Sequence, residues 1–342
     1  MTRLMAATET TIYHDADATL STLDERAVAI IGYGNQGRSQ ALNLRDSGVE
    51  VVVGNRSDDY RETVEDDGFE SLSIPEAAAA GDIVCLLIPD EVAPAVYDEH
   101  IHPNLEEGDV LYFSHGYNIT FDLIQPPETV DVVLVAPRMA GPSVRTLYEA
   151  GKSFPSIMAV EQDASGEATA IALALAKGIG STQAGVVEGT FDMETKVDLL
   201  SEQALVPMMM GAFQAKFEVE RAHGIPEEII MSELYLSTEL AEIFELMAAE
   251  GFLGQLPYHS PTSQYGQLSR ADEFVAEYVE PLKEFTEEQL RNIDNGSFVR
   301  EWSAEQSLDH PGLKRLYKKQ RNSDFVQAEQ RTIEKLFDHD ED

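Results

Sequence analysis

Short continuous apolar runs alternate with amphipathic stretches through the first half of the chain. Residues Ala27–Ile31, Val49–Val53, Ile83–Ile88, Val110–Phe113 and Val130–Val135 are runs of this kind. Runs of about 5 apolar residues without polar alternation are the pattern of parallel strands covered on both faces. Between them lie helix-like segments, Gly37–Asp46, Ile74–Ala80 and Glu91–His100. Ile157–Val160, a helical stretch over Ala168–Lys177, and Ala184–Val187 continue the alternation. Alternation of strand and helix predicts a doubly wound α/β domain. From Thr190 onward the strand-like runs stop, and 3.6-residue periodicity takes over in Met193–Arg221, Glu227–Glu250 and Ala271–Arg291. Pro207 falls inside the first of these and predicts a kink or a junction of two helices. The expected organisation is therefore an α/β domain over 1–189, an all-α domain over 190–336 and a short acidic tail over 337–342.

Composition narrows the class. A chain of 342 residues with 43% apolar content has enough material for two cores. No run approaches the ~20 apolar residues that span a bilayer, and the first residues lack the basic and apolar regions of a secretory signal. Asp and Glu number 62 against 24 Lys and Arg, a formal charge of −38. A surface this acidic repels phosphate backbones, which excludes nucleic acid as a partner. It also fits a salt-rich cytoplasm, where screening removes the self-repulsion. The single cysteine, Cys85, lies inside an apolar run, so neither a disulfide nor a cysteine-based zinc site is available.

The first strand leads into Gly32-Tyr33-Gly34-Asn35-Gln36-Gly37, a G-x-G-x-x-G turn followed by a helix. Such glycines permit a tight turn and let backbone N–H groups approach a pyrophosphate at the helix N-terminus. In this context the turn predicts a dinucleotide site, and the first domain reads as Rossmann-like. After the second strand comes Gly54-Asn55-Arg56-Ser57-Asp58-Asp59. Asp58 and Asp59 repel a ribose 2′-phosphate, whereas Arg56 can stack on adenine or bind that phosphate, so NADH is favoured over NADPH.

Glu194, Asp198 and Glu202 recur at spacing four on one predicted helix face. Like charges so placed repel, so either a cation such as Mg²⁺ sits among them or they form a solvated stripe. His115 ends the fourth strand and faces either a cofactor or only its own loop. Arg138 occupies the matching position one strand later, where a substrate carboxylate or a structural ion pair would hold it.

In Ile30–Gly37, Asn43–Gly48, Pro89–Val92, Ser114–Ile119, Gln162–Gly166, Ala176–Gly180 and Asp198–Gln203 the chain resembles the short, class I ketol-acid reductoisomerases, in register over roughly Tyr13–Leu336. The resemblance implies reduction and rearrangement of 2-acetolactate and its ethyl homologue to 2,3-dihydroxy acids, with NAD(P)H and Mg²⁺, in branched-chain amino-acid synthesis. It implies that Mg²⁺ polarises the ketone while an alkyl group migrates, and that hydride then reduces the new carbonyl. Asp198 and Glu202 match the family's Mg²⁺ pair, Glu233 a second-site ligand, His115 the active-site histidine and Ser260 a substrate-contacting serine. Pro89 and Asp90 fall in a matching stretch beside the cofactor, Gly141 is the closing glycine of the departing stretch Ala136–Gly141 and is expected there too, and Asp59 falls where an acid accompanies NADH preference. Intertwined helical domains would make a homodimer the minimum assembly. Three stretches depart from the family pattern. Arg138 stands for lysine, Ser237 follows Glu233 where a second glutamate is expected, and Gln264 and Gln267 replace carboxylates after Ser260. These departures leave open a divergent member that reduces a 2-oxo acid or imine without isomerisation, or a nucleotide-binding protein without catalysis.

Overall fold

The computed structural model describes residues 9–56 and 60–337. The chain forms two compact units, one ending at Val197 and the other beginning at Asp198.

In the first unit the described residues form a nine-stranded sheet. Its strands are β1 (Ile12–Tyr13), β2 (Ala27–Ile31), β3 (Glu50–Gly54), β4 (Ser71–Leu72), β5 (Ile83–Leu86), β6 (Val110–Phe113), β7 (Asp131–Pro137), β8 (Ser156–Gln162) and β9 (Val186–Glu188). The spatial order is β1-β9-β8-β7-β6-β5-β2-β3-β4. The central strands pair in parallel, whereas β7 with β8 and β1 with β9 run antiparallel. Hydrophobic pattern reports burial and not strand direction, so the reversal at β8 was not legible in it.

The apolar runs sort onto two faces with the two-residue period of a strand. Val28, Ile30, Cys85, Tyr112, Val133 and Val135 enter one core, beneath helices Asn35–Asp46, Gly141–Glu149 and Ala168–Ile179. Ala29, Ile31, Val84, Leu86, Leu111 and Leu134 enter the other, with Ala77 and Ala78 of helix Ile74–Ala80. Both faces are dry, which explains the absence of polar alternation. Asn43, fully buried, ties three helices together by donating to Val144 O (3.2 Å) and Ile179 O (3.0 Å). Cys85 is a buried free thiol whose pKa burial drives upward.

In the second unit the expected helices are interrupted. Helix Phe191–Leu200 widens into a π-turn over Ser201–Leu205 before Val206–Ala222, so Pro207 sits at a junction and its missing N–H falls in a first turn. The stretch expected as one helix over Glu227–Glu250 breaks instead. Glu227–Met231 passes into a wide turn, Ser232–Leu236, and Thr238 adopts φ 65° before Glu239–Glu250. A β-branched residue in the left-handed region is strained and rare. Helix Pro261–Asp294 starts ten residues before the periodic stretch, at the Ser260 cap and Pro261, and three more helices follow it, Ser297–Ser307, Pro311–Arg321 and Asp324–Phe337. This unit's core cluster is small, with Phe217, Ile230, Met231, Leu234 and Ala328 at its centre. Among the described residues no helix is long and apolar enough to cross a membrane.

Candidate active site

The glycine turn leaves the tip of β2. Gly32 takes φ 96°, and a Cβ there would lie 2.5 Å from Ile88 Cγ2. At Gly37 an added Cβ would stand 1.9 Å from the Gly32 carbonyl oxygen, so only glycine lets the helix pack back on the turn. Gly34 has open space on its side-chain face, where a pyrophosphate can approach the helix N-terminus. Tyr33 is buried, and its hydroxyl donates to Asp67 at 2.9 Å. Arg38 grips the same carboxylate with Nε at 2.6 Å and Nη2 at 2.9 Å. The Arg38 guanidinium holds the Asp67 carboxyl below the usual range, against an opposing push from burial and with help from Tyr33.

A buried polar chain fixes the far side of the turn. Gln36 donates to Met139 O at 3.2 Å, and Gln40 donates to Gln36 Oε1 at 3.1 Å and to Ser114 Oγ at 2.9 Å. Tyr112 donates to Gln40 Oε1 at 2.8 Å. The helix after the turn is thereby bonded to the ends of β6 and β7. Gly141 begins helix Gly141–Glu149 and is buried against Asn35, where a Cβ would come within 2.6 Å of backbone.

Adjacent strands β5, β6 and β7 deliver three more groups to the same edge. Asp90 follows β5, His115 follows β6 and Arg138 follows β7. His115 Nδ1 lies 2.7 Å from Asp90 Oδ2. Asn118, buried, donates from Nδ2 to Asp90 O and to Asp90 Oδ1, both at 3.2 Å. The His115 ring stacks on Tyr117 with centroids 5.9 Å apart and planes at 27°. Burial, and then the Asp90 charge, push the Tyr117 hydroxyl up to about 12.

Arg138 Nη2 donates to Glu194 Oε1 at 2.7 Å, and the Gly116 N–H donates to Glu194 Oε2 at 2.8 Å. Glu194 is 0% exposed. One carboxylate therefore clamps the tips of β6 and β7, bonding the Arg138 guanidinium and the backbone N–H of the residue after His115. The residue read as part of an acidic stripe is an internal ion-pair partner. Sequence spacing missed it, as it missed the bracing roles of Asn118 and Gln40. The available signal was placement: residues just past neighbouring parallel strands meet at one edge.

The remaining expected site residues are placed as follows. Asp58 and Asp59 lie outside the described residues, while Arg56 is exposed after β3 and Pro89 is exposed after β5. Asp198 lies half-buried in the last turn of its helix, and Glu202 lies exposed on the wide turn that follows. Glu233 is exposed on the second wide turn, and Ser237 and Thr238 interrupt the helix where a partner glutamate would stand. Ser260 caps helix Pro261–Asp294, accepting from the Ser263 N–H at 3.3 Å. Among the described residues no group of three or more His, Cys, Asp or Glu is gathered as a metal cage.

Residues 22–185 match the family described as acetohydroxy acid isomeroreductase, NADPH-binding domain. Residues 191–337 match the ketol-acid reductoisomerase C-terminal domain. The ketol-acid reductoisomerase (NADP(+)) of Methanopyrus kandleri is 44% identical over 326 residues, 94% of this chain and 96% of its own. That of Petrotoga mobilis is 42% identical over 314 residues, 91% of this chain and 93% of its own. Among solved structures, an NADH-preferring ketol-acid reductoisomerase from an uncultured archean superposes with a TM-score of 0.88 at 38% identity. That match covers 96% of this chain and 99% of the other.

Proposed function

The chain belongs to the ketol-acid reductoisomerase family, and from that premise we propose that it reduces an acetohydroxy acid or a closely related 2-oxo acid with NAD(P)H. The observation that carries this reading is the edge formed by β2, β5, β6 and β7. There the glycine turn, the Asp90–His115 pair and the Glu194–Arg138 pair stand side by side. The turn at Gly34 binds the pyrophosphate, and the Arg138 guanidinium holds the substrate's carboxylate or developing alkoxide. Arg138 cannot give up a proton, so His115 is the group that gives or takes one. When bound, the nicotinamide supplies hydride and Mg²⁺ polarises the oxygen functions of the substrate.

The donor set at Asp198 and Glu202 suits one Mg²⁺, an ion held by one or two carboxylates and completed by water. Glu233 has Ser237 where a second carboxylate would be needed, so a second ion does not fit the residues present. Asp58 and Asp59 favour NADH over NADPH by repelling the 2′-phosphate. The small core of the helical unit, with Leu205, Met210, Phe252, Leu253, Tyr265 and Phe274 all exposed, supports a homodimer.

A second reading is favoured by Arg138, its bond to Glu194, and the helix break at Thr238: reduction without isomerisation. One assay set separates them. Mg²⁺-dependent NADH oxidation with 2-acetolactate supports the full reaction. Oxidation only with the already rearranged 3-hydroxy-2-oxo acid supports the second reading. Turnover of neither refutes both.

A further inference from the structure

We infer that Asp90 is a positioning residue for His115: it fixes the tautomer and ring plane of the histidine, and Asn118 braces Asp90 in turn. This rests on the proton-handling role of His115 given above. An ionised carboxylate only accepts hydrogen bonds. With Asp90 Oδ2 2.7 Å from Nδ1, the neutral imidazole must therefore carry its proton on Nδ1. Nε2 is then the nitrogen that exchanges a proton with a substrate oxygen.

An isolated exposed pair of this kind holds no fixed geometry, but here the orientation is set from three sides. Asn118 is 2% exposed and spends both of its Nδ2 bonds on Asp90, one on the backbone oxygen and one on Oδ1. That leaves Oδ2 for the histidine. The buried Tyr117 ring lies under the imidazole nearly parallel to it. The next residue, Gly116, is tethered through its N–H to buried Glu194. The loop after β6 thus has little freedom to turn His115 elsewhere. Asp90 directly follows Pro89, in the stretch that sequence alone assigns to the cofactor, yet its bonds run to His115 and Asn118.

The test uses the full-length protein with Mg²⁺, NADH and whichever of the two substrates above it turns over. Asp90→Asn replaces the acceptor by an amide and should lower kcat at least about tenfold, in the direction of the ~10⁴ loss that the same change causes in a serine-protease triad. The KM for NADH should stay near the wild-type value. Asp90→Glu should recover part of kcat. The double variant Asp90→Asn/His115→Gln should be no slower than His115→Gln alone, because both changes remove one function. In wild type, ¹⁵N-histidine labelling should reveal a low-field Nδ1 proton that both single variants lose.

Wild-type kcat in Asp90→Asn, with activity lost in His115→Gln, overturns the proposal while leaving the role of His115 intact. So does a double variant whose loss is the product of the two single losses. Full activity in His115→Gln instead refutes the reading of His115 itself. Should Asp90→Asn fail to fold, Asn118→Ala keeps the carboxylate and removes only its brace. A several-fold fall in kcat then supports the proposal, and none overturns it.

Discussion

The two units solve the burial problem in different ways. The α/β unit encloses two dry cores, one on each face of the sheet, and spends its buried polar groups on paired networks at one edge. The helical unit buries few apolar side chains and leaves many large ones exposed. The nucleotide half therefore carries its own geometry, whereas the helical half holds together around a much smaller buried cluster. Substitutions should separate the halves on that basis.

The largest effect is expected at Gly37→Ala. The added methyl would meet the Gly32 carbonyl at 1.9 Å, and overpacking against backbone costs about 3 kcal/mol or more. Titration by nicotinamide fluorescence should show no measurable NADH binding. Retained affinity would mean that the turn is not the pyrophosphate site.

Next comes Glu194→Ala, which strips a fully buried carboxylate from Arg138 and from the Gly116 N–H. Removing one partner of a buried pair costs about 3–5 kcal/mol. Because the Arg138 side chain is 29% exposed, about 2–3 kcal/mol is expected here. Denaturant melts followed by near-ultraviolet circular dichroism would measure it, and a change near zero would reduce the clamp to a surface contact.

A smaller effect sharpens the contrast directly. Trp302, the only tryptophan, lies in the helical unit. If that unit is completed by a second copy, the midpoint of the Trp302 fluorescence transition rises with protein concentration. A midpoint independent of concentration would show that the helical unit stands alone.

The smallest expected effect is at Asp67→Asn, beside the glycine turn. The Asp67 carboxyl is held low by Arg38, with burial opposing and Tyr33 assisting. A lowered folded-state pKa adds stability above the unfolded value, near 3.9, and loses it as pH falls through the folded value. Wild type should exceed the variant by about 1 kcal/mol at neutral pH, since Arg38 is half exposed. The gap should close below about pH 4. A gap that persists in acid would assign the loss to packing.

By itself the sequence determined the strand–helix alternation, the dry sheet, the dinucleotide turn and the change to helices, because each is written in local periodicity or in glycines at fixed spacing. Helix Ile74–Ala80 and strands Ala27–Ile31 and Val110–Phe113 match the expected bounds to the residue. It also placed His115 and Arg138 at strand ends. Tertiary structure alone decided which groups meet there. Asp90 and His115 are 25 residues apart, and Arg138 and Glu194 are 56 apart; no spacing rule joins such pairs until the parallel strands lie side by side. The same holds for Glu194, which helical periodicity set in a stripe with Asp198 and Glu202. Its burial depends on a glycine at 116, where a Cβ would meet the Thr195 hydroxyl at 2.5 Å, and a close approach of that kind belongs to packing, not to pattern.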